Sequence, residues 1–432
     1  MKISELLKIY NSDRFEELYL VLNPIVPSWF ITNLDGIILL KELDSVIEIK
    51  EDFFPNKELF KKNRILLEHY DFIEHIHTLD IFKLHTYSNV HKHSFLTSLY
   101  LNMTPKCNLN CIYCYAAARN ENESDPLSYD DYEKIIEDSD LLSNARVNLS
   151  FTGGEPLLNP LTCKVANFAQ KRGHKCTLMT NGTLITKKNV EELLSIFDQF
   201  RISLDGSSKE IHDFFRGKGA YQKTIDAISL LEKNNANFII AMVVNKKNLE
   251  NVEEMHNRWK NKLIFQPMFP LSKDMKFNQE LEITGEEYFN ILSNKAEILP
   301  YSSLLNLIQR NKRNESLHKC ALGDGELSIS FNGDVYPCQL LHQSDFLLGN
   351  IHQSSLKEIY NSEKNIHFKN HTVNCISGCR TCDFRFLCGG ACQARHFSET
   401  GSIDVAGKFC EYEKMSIVDG LISASSPVKI DD

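Results

Sequence analysis

Thirteen cysteines, placed unevenly, constrain this chain more than any other feature. None occurs before residue 107, three lie within 107–114, and eight lie between 320 and 410. The first twenty residues reach charged side chains too early for the apolar core of a signal peptide, so we expect a cytoplasmic protein. Because the cytosol keeps thiols reduced, clustered cysteines there indicate metal or redox chemistry instead of a disulfide framework.

The length and the charge of the chain further limit the class of protein that it can belong to. A chain of 432 residues predicts two or three domains, each able to bury a core, at about 150 residues per domain. Acidic residues outnumber basic ones 57 to 48, which disfavours a nucleic-acid partner because binding to phosphates needs an excess of Lys and Arg. No uncharged apolar run reaches about 18 residues, so the sequence predicts no membrane span and no membrane partner.

The middle of the chain alternates candidate strands with helical patterns. The strands are predicted at 98–104, 146–152, 175–180, 199–205, 236–244 and 262–269. Strands separated by helices of about 10–15 residues predict an α/β fold with a parallel sheet and right-handed crossovers. We predict a partial (β/α)6 TIM barrel over 97–310, although a doubly wound sheet would give the same periodicity.

The first cysteine group follows the first of these strands, in the sequence CNLNCIYC. Cys107, Cys111 and Cys114 share one loop at the carboxyl end of a strand, where parallel α/β folds place active sites. Three thiolates can bind three irons of a 4Fe–4S cubane and leave the fourth iron open to another ligand. A truncated zinc knuckle is the alternative, although zinc sites usually add a second cysteine pair.

This loop and a second motif together resemble the radical S-adenosylmethionine (SAM) superfamily over roughly 97–300. The pattern is C-x3-C-x-aromatic-C, followed about forty residues later by Gly153-Gly154-Glu155-Pro156. The resemblance implies that SAM chelates the open iron and that Tyr113 lies against its adenine. It also implies that Glu155 and the Gly153–Gly154 backbone hold the SAM ammonium, for which carboxylate and carbonyl oxygens are suitable acceptors.

Further strand ends match SAM-contacting positions of the same superfamily. Ser203, in RISLDG, and Arg216, in HDFFRGKG, correspond to residues that contact the SAM carboxylate, and a guanidinium fork suits that anion. A surface salt bridge is the alternative for Arg216. Asn181-Gly182 is expected to shape a loop lining the site, and Gln266 to approach SAM.

The second cysteine group has Cys320, Gly333 and Cys338, followed by Cys379-x2-Cys382-x5-Cys388-x3-Cys392 and a final Cys410. This spacing resembles the SPASM extension of the same superfamily, predicted over 315–420. The resemblance implies that Cys379, Cys382, Cys388 and Cys410 bind a distal auxiliary cluster. It also implies that Cys320, Cys338 and Cys392 bind a nearer one, which makes three 4Fe–4S clusters in all. Cys375 is favoured as the fourth ligand of the nearer cluster, against an open iron or a structural thiol. A pair of zinc ribbons is the alternative for the whole group.

Several remaining features carry less specific predictions. Asn332-Gly333 predicts a β-hairpin, and Cys163 and Cys176 are interpreted as structural thiols. The polar stretch 85–97 is interpreted as a linker, and its histidines, His85, His91 and His93, lack the acid or thiol companions of a metal site.

Residues 1–90 are predicted to form a small separate domain. It has short strands in YLVLNPIV and SWFITN, and helices, one of them over 56–73. They resemble the winged-helix-like leader-recognition domain of peptide-modifying radical SAM enzymes, which binds a leader peptide as an added strand. A stabilising domain without a ligand is the alternative.

The resemblance as a whole implies a peptide maturase. In such an enzyme the reduced first cluster cleaves SAM, and the 5′-deoxyadenosyl radical takes hydrogen from a precursor peptide to give a thioether or carbon–carbon cross-link. The expected partners are that peptide with its leader and an electron donor such as flavodoxin or ferredoxin. A maturase that makes formylglycine on sulfatases, and a non-catalytic electron carrier, remain the alternatives. Asp205, Asp324 and Asp334 are candidate general bases that the sequence does not rank.

Overall fold

In a computed structural model the chain divides into two compact units, which we describe separately. The barrel unit comprises residues 93–283 and 321–371, and the cysteine-rich unit comprises residues 1–92, 284–320 and 372–432. The structure describes residues 8–11, 18–23, 28–32, 37, 95–114, 126–269, 280–293 and 319–425. The predicted helix over 56–73 and the linker histidines lie outside these ranges.

The strands of the described residues are numbered in chain order. They are β1 (Lys8–Asn11), β2 (Tyr19–Asn23), β3 (Ser28–Thr32), β4 (Ser98–Thr104), β5 (Asn148–Gly153), β6 (Lys175–Thr180), β7 (Gln199–Ser203), β8 (Phe238–Val244), β9 (Leu263–Pro267), β10 (Glu326–Ile329), β11 (Asp334–Tyr336) and β12 (Gly349–Asn350).

The α-helices of the same residues are numbered likewise. They are α1 (Tyr129–Leu141), α2 (Thr162–Lys171), α3 (Val190–Ile196), α4 (Lys209–Arg216), α5 (Ala220–Lys233), α6 (Val252–Trp259), α7 (Gly285–Ser293), α8 (Leu356–Tyr360), α9 (Glu363–Lys369), α10 (Arg385–Cys388), α11 (Gln393–Thr400) and α12 (Cys410–Ser425).

The barrel unit is built on one nine-stranded sheet in the order β12-β11-β10-β4-β5-β6-β7-β8-β9. Every neighbouring pair from β10 to β9 is parallel, whereas β11 and β12 join antiparallel. This confirms the α/β class and the parallel sheet of a partial TIM-type barrel. The six predicted strands recur as β4 to β9, each with its ends within two residues of the prediction. The predicted hairpin at Asn332-Gly333 joins β10 to β11, with Gly333 at a φ of +86°.

The core of this unit comes from the inward side chains of the parallel strands. Leu101, Phe151, Ile202 and Met242 lie on four different strands, and each is completely buried. Flanking helices cover the sheet with their apolar faces, and Ser128 caps the first of them by accepting the backbone N–H of Asp131. The carboxyl ends of the strands therefore meet at one edge, where the candidate site lies.

The cysteine-rich unit contains a three-stranded antiparallel sheet in the order β1-β2-β3. The sequence predicted β2 and β3 but not β1. Leu20 and Leu22 of β2 are fully buried in a cluster that includes Phe384, Leu387 and Leu421 from the carboxyl-terminal part of this unit. The strands of residues 1–90 thus share a hydrophobic core with helices of the cysteine-rich segment. No helix among the described residues has the length and apolar character needed to cross a membrane.

Candidate functional site: the cysteine loop and its neighbours

The loop that carries Cys107, Cys111 and Cys114 follows β4 directly. A turn brings the last two cysteines together, because the backbone N–H of Cys114 donates to the carbonyl of Cys111 at 3.1 Å. The N–H of Ile112 donates to the carbonyl of Phe215 at 3.0 Å, which ties the loop to the end of α4. All thirteen cysteines lie in the described residues, and no disulfide joins any of them.

The three thiols influence one another, as ligands of one cluster must. Burial raises the pKa of Cys111 to about 11, Arg216 opposes this, and the neighbouring Cys114 and Cys107 raise the pKa further. Burial likewise raises the pKa of Cys107, with Cys114 among the contributors. Thiols that resist ionisation by themselves become thiolates when a cationic iron cluster binds them. The loop therefore fits a 4Fe–4S cluster.

This arrangement differs from a site for one metal ion. Among the described residues, no group of three or more His, Cys, Asp or Glu side chains is arranged to hold a metal ion. In a cubane each thiolate binds a different iron, so the ligands are spread around the cluster instead of converging on one point.

Gly153 and Gly154 allow the end of β5 to lie against the segment that leads into Cys107. A Cβ at Gly154 would lie 2.2 Å from the carbonyl oxygen of Lys106, and one at Gly153 would lie 2.5 Å from that of Thr104. The backbones instead join through hydrogen bonds from Gly154 N–H to Thr104 (2.7 Å) and from Glu155 N–H to Lys106 (2.8 Å). Any side chain here would push the two loops apart.

Glu155 is fully buried and links the ends of two neighbouring strands. Its carboxylate accepts the hydroxyl of Thr180 at 2.8 Å and the backbone N–H groups of Asn181 (3.0 Å) and Leu157 (3.2 Å). Burial raises the pKa of Glu155, and these three donors oppose the rise. The contact of Glu155 and the glycine backbone with the SAM ammonium stays a prediction.

The Asn181-Gly182 loop reaches the cysteine loop, as the sequence predicted for a segment that lines the site. The Asn181 side-chain amide donates to the Oδ1 of Asn108 at 3.0 Å and lies 3.9 Å from the Sγ of Cys107. Hydrogen bonds to cluster sulfurs are among the features that set cluster potentials.

Arg216 forms a buried ion pair instead of the surface salt bridge that the sequence left open. Its Nε donates to Asp205, whose carboxylate also accepts the hydroxyl of Tyr113 and, at 3.0 Å, the N–H of Val243. Asp205 is completely buried, which would raise its pKa, but the Arg216 charge and these hydrogen bonds hold the pKa of Asp205 below its usual range. A buried carboxylate that already accepts three hydrogen bonds and pairs with a guanidinium is a poor general base.

Sequence reasoning missed this role of Asp205, although a signal was present. Asp205 follows β7 in RISLDG, and Arg216 ends the next helix. Because the acidic and the basic residue lie only 11 positions apart in one strand-to-helix segment, they were candidates for pairing.

The other predicted SAM contacts lie at strand ends but do not join this network. Ser203 ends β7 and is half-buried, and Gln266 lies on β9 and is exposed. Neither side chain hydrogen-bonds another residue in the described ranges. Asp334, another candidate base, accepts the side-chain amides of Asn332 in its hairpin (3.0 Å) and of Asn350 on β12 (2.8 Å).

The cysteine-rich unit brings four predicted ligands together. Cys379 and Cys382 share a turn, Cys388 ends α10, and Cys410 begins α12. Burial raises the pKa of Cys410 to about 11, and nearby Cys379 and Cys382 contribute to the rise. Burial also raises the pKa of Cys388, with Cys410 and Cys379 contributing. These are the four residues predicted for the distal auxiliary cluster.

The four residues predicted for the nearer auxiliary cluster are described one by one. Cys338 follows β11, and its Sγ accepts the N–H of Leu340 at 3.4 Å. Cys392 precedes α11, and Cys375 is exposed, with its Sγ 3.9 Å from the hydroxyl of Thr372. Because Cys338 belongs to the barrel unit and Cys320, Cys375 and Cys392 to the other, their shared cluster stays a prediction.

Two family profiles match the chain where these motifs lie. The Radical SAM superfamily profile matches residues 101–258, and the SPASM iron–sulfur cluster-binding profile matches residues 320–383. This chain belongs to the radical SAM superfamily. It is a radical SAM enzyme with a SPASM domain, and these domains imply iron–sulfur clusters and SAM binding.

Relatives of this radical SAM enzyme catalyse different reactions. An AdoMet-dependent heme synthase of Methanosarcina barkeri is 28% identical over 72% of this chain and 95% of its own. The antilisterial bacteriocin subtilosin biosynthesis protein AlbA of Bacillus subtilis is 28% identical over 60% of this chain and 58% of its own. The serine-type anaerobic sulfatase-maturating enzyme of Bacteroides thetaiotaomicron is 28% identical over 71% and 85%.

Two solved structures share the fold of the enzyme. Native anSMEcpe with bound AdoMet aligns with a TM-score of 0.63 at 23% identity, covering 77% of this chain and 100% of that chain. Streptococcus suis SuiB bound to precursor peptide SuiA aligns with a TM-score of 0.55 at 15% identity, covering 95% of this chain and 99% of that chain.

Proposed function

We propose that this radical SAM enzyme modifies a ribosomally made precursor peptide in the cytoplasm, forming a thioether or a carbon–carbon cross-link. The observation that carries the proposal is the extent of the likeness to SuiB, which was solved with its precursor peptide bound. That alignment leaves only about one residue in twenty of this chain uncovered, so it includes most of residues 1–90. The likeness to anSMEcpe leaves nearly a quarter of the chain uncovered.

The N-terminal sheet supplies a surface that suits a leader peptide. Within the described residues β3 pairs with β2 alone, and we propose that the leader adds as a strand at the other edge of β3. An extended peptide that adds to such an edge gains main-chain hydrogen bonds that do not depend on its side chains. Holding the leader there keeps the rest of the peptide at a high effective concentration near the enzyme.

The cofactors in this proposal are three 4Fe–4S clusters and SAM, with a flavodoxin or ferredoxin as electron donor. When bound, the first cluster and SAM supply a 5′-deoxyadenosyl radical that takes a hydrogen atom from the peptide. Cys107, Cys111 and Cys114 would hold that cluster, and Gly153, Gly154 and Glu155 keep the neighbouring strand end against the cysteine loop. The cysteines of the SPASM domain would hold the auxiliary clusters, which would supply an acceptor for the electron released on cross-linking.

Mass spectrometry of the peptide tests the proposal. A short open reading frame, if one lies beside the gene, supplies the candidate peptide for co-expression with the enzyme. We expect that peptide to lose two hydrogen atoms per cross-link. Backbone fragments between the joined residues should be absent from the tandem spectrum. The matched control replaces Cys107, Cys111 and Cys114 by Ala, which should give unmodified peptide and no 5′-deoxyadenosine.

The same spectrum distinguishes a sulfatase-type maturase. Oxidation of a serine to formylglycine also removes two hydrogen atoms, but it leaves an aldehyde that a hydrazide reagent labels and a backbone that fragments normally. Hydrazide labelling of a sulfatase peptide, with no change in the neighbouring peptide, would contradict the proposal.

Leader binding is tested with point variants, because a truncation that removes β1 and β2 would expose Leu421 and Ile422 of the shared core. Successive residues of β3 point their N–H groups in opposite directions, one towards β2 and the next towards the open edge. Of Phe30→Pro and Ile31→Pro, the variant that loses the outward N–H should lose affinity for a labelled leader by fluorescence anisotropy while keeping its fold. Unchanged leader affinity in both variants would remove the recognition role from this edge.

A further inference from the structure

Asp205 is a buried carboxylate beside the cysteine loop that accepts hydrogen bonds from three different residues. It lies two residues beyond the end of β7, with none of its surface exposed. One carboxylate oxygen accepts both the Nε of Arg216 and the hydroxyl of Tyr113, and the other accepts the N–H of Val243 at 3.0 Å. Its backbone is also fixed, since its N–H donates to the Nδ1 of His212 at 3.1 Å and its carbonyl accepts Asn248 at 3.0 Å.

The partner cation is held by only one of its nitrogens. The side chain of Arg216 is 11% exposed, and its Nε makes the ion pair with Asp205. Within the described residues, its two terminal nitrogens donate to no other group. A guanidinium fixed in this way presents a pair of N–H groups with the geometry of a carboxylate receptor, and burial strengthens that attraction.

The second partner belongs to the cluster loop itself. Tyr113 lies between Cys111 and Cys114, and its ring packs against Phe215 with the centroids 5.7 Å apart. The guanidinium of Arg216 lies 5.9 Å from the centre of the Tyr113 ring. One carboxylate thus fixes both the loop that carries the three predicted cluster thiols and the cation next to it.

We propose that Asp205 is a positioning residue that acts through Arg216 and Tyr113, aligning the terminal N–H groups of Arg216 with the cluster loop so that the carboxylate of SAM binds there. The inference rests on SAM binding by the first cluster, which is part of the proposed function, but not on the identity of the peptide. Asp205 itself touches neither SAM nor the cluster in this role.

The test measures SAM affinity in the reconstituted enzyme without peptide, by equilibrium dialysis of labelled SAM. Asp205→Asn keeps the shape but presents an amide N–H to the Nε of Arg216, so we expect SAM binding to weaken about tenfold or more. Asp198→Asn is the matched control, because Asp198 lies just before the opposite end of the same strand, where it accepts the N–H of Cys176. The control should bind SAM as the parent enzyme does.

A double-mutant cycle separates positioning from general support of the fold. If Asp205 acts through Arg216, Asp205→Asn should change SAM affinity less than about twofold in an Arg216→Gln background. If the two substitutions weaken SAM binding independently, their fold-losses in affinity multiply in the double variant, and that result would overturn the proposal. An Asp205→Asn variant with a full complement of iron that binds SAM as tightly as the parent enzyme would also overturn it. Because the assay contains no peptide, a wrong peptide substrate would leave its result unchanged.

A second variant tests the proposal if Asp205→Asn does not fold. Asp205→Glu keeps the charge and displaces the guanidinium by one methylene, so we expect about threefold weaker SAM binding at normal iron content and circular dichroism. The electron paramagnetic resonance signal of the reduced first cluster, which changes when SAM binds to it, should require more SAM to saturate. Parental saturation in Asp205→Glu would overturn the positioning role.

Discussion

The two units of this enzyme reach stability by different means. In the barrel unit, Leu101, Phe151 and Ile202 are completely buried on strands that run side by side. In the cysteine-rich unit the four thiols predicted to share a cluster lie in a turn and at helix ends. A long parallel sheet buries enough apolar surface to hold its own strand ends, whereas loops that carry ligands depend on what they bind. The following predictions test this difference, beginning with the largest expected effect.

Removal of the clusters should affect the two units unequally. After chelation of iron, we expect hydrogen exchange to accelerate by several orders of magnitude in α12, which begins at Cys410, because metal binding at small sites contributes on the order of 10 kcal/mol. Strand β6, inside the parallel sheet, should keep its protection. Hydrogen exchange followed by mass spectrometry makes the comparison, and equal acceleration in both segments would contradict it.

A cavity in the barrel should be costly whether or not iron is present. Phe151 is fully buried and meets Phe197 edge to face at 5.6 Å, so Phe151→Ala should lower the free energy of unfolding by about 3–5 kcal/mol. Leu141→Ala, at a position that is 67% exposed, is the control and should change it by about 0.5 kcal/mol or less. Urea unfolding with and without iron measures both free-energy changes. If iron restores the stability lost in Phe151→Ala, the prediction is contradicted.

Acid should destabilise the barrel through His212. Burial and the Arg216 charge lower the pKa of this completely buried histidine to about 4, against the opposing effect of Asp205. In the unfolded chain His212 has a pKa of about 6.5, so it binds a proton at a higher pH than in the folded protein. The contribution of neutral His212 to the free energy of unfolding is therefore fully present above about pH 6.5. It falls by about 3 kcal/mol as the pH is lowered to 4.

Urea midpoints at pH 7, 5.5 and 4.5 measure this decline, and His212→Asn should flatten it. His396 is the counterpart in the cysteine-rich unit, where it accepts the N–H of Gly407 at 3.0 Å, and burial lowers its pKa as well. His396→Asn should therefore flatten the acid response of that unit alone. Parallel pH profiles for the parent and the His212→Asn variant would refute the assignment.

The smallest effect should come from the contact between the N-terminal sheet and the turn of Cys382. The hydroxyl of Tyr10 donates to the carboxylate of Asp383 at 2.6 Å, and its ring lies 4.6 Å from that of Phe384. Tyr10→Phe should lower the free energy of unfolding by about 1 kcal/mol while keeping the packing of the ring. Tyr19→Phe is the control, since the Tyr19 hydroxyl has no hydrogen bond within the described residues. Equal thermal stability of the two variants would show that the hydrogen bond from Tyr10 to Asp383 does not stabilise the fold.

Local sequence signals predicted the elements of the barrel well. The six strands were recognisable because each is a short apolar run between helical patterns, and such periodicity reflects burial directly. β1 was missed because KIYN carries no comparable pattern and depends on pairing with β2. The cysteine motif and the GGEP motif were recognisable because a loop that binds a cluster keeps its ligands close in sequence.

The sequence by itself determined the α/β class, the placement on one loop of the three cysteines predicted to bind a cluster, and the match to the radical SAM superfamily. Only the tertiary structure decided that Asp205 joins Arg216 to Tyr113, and that β1 and β2 share a core with Phe384 and Leu421. The physical reason is how far apart along the chain the interacting residues lie. Periodicity and motif spacing record interactions between residues near in the chain, whereas a buried ion pair or a shared core depends on where distant segments meet after folding.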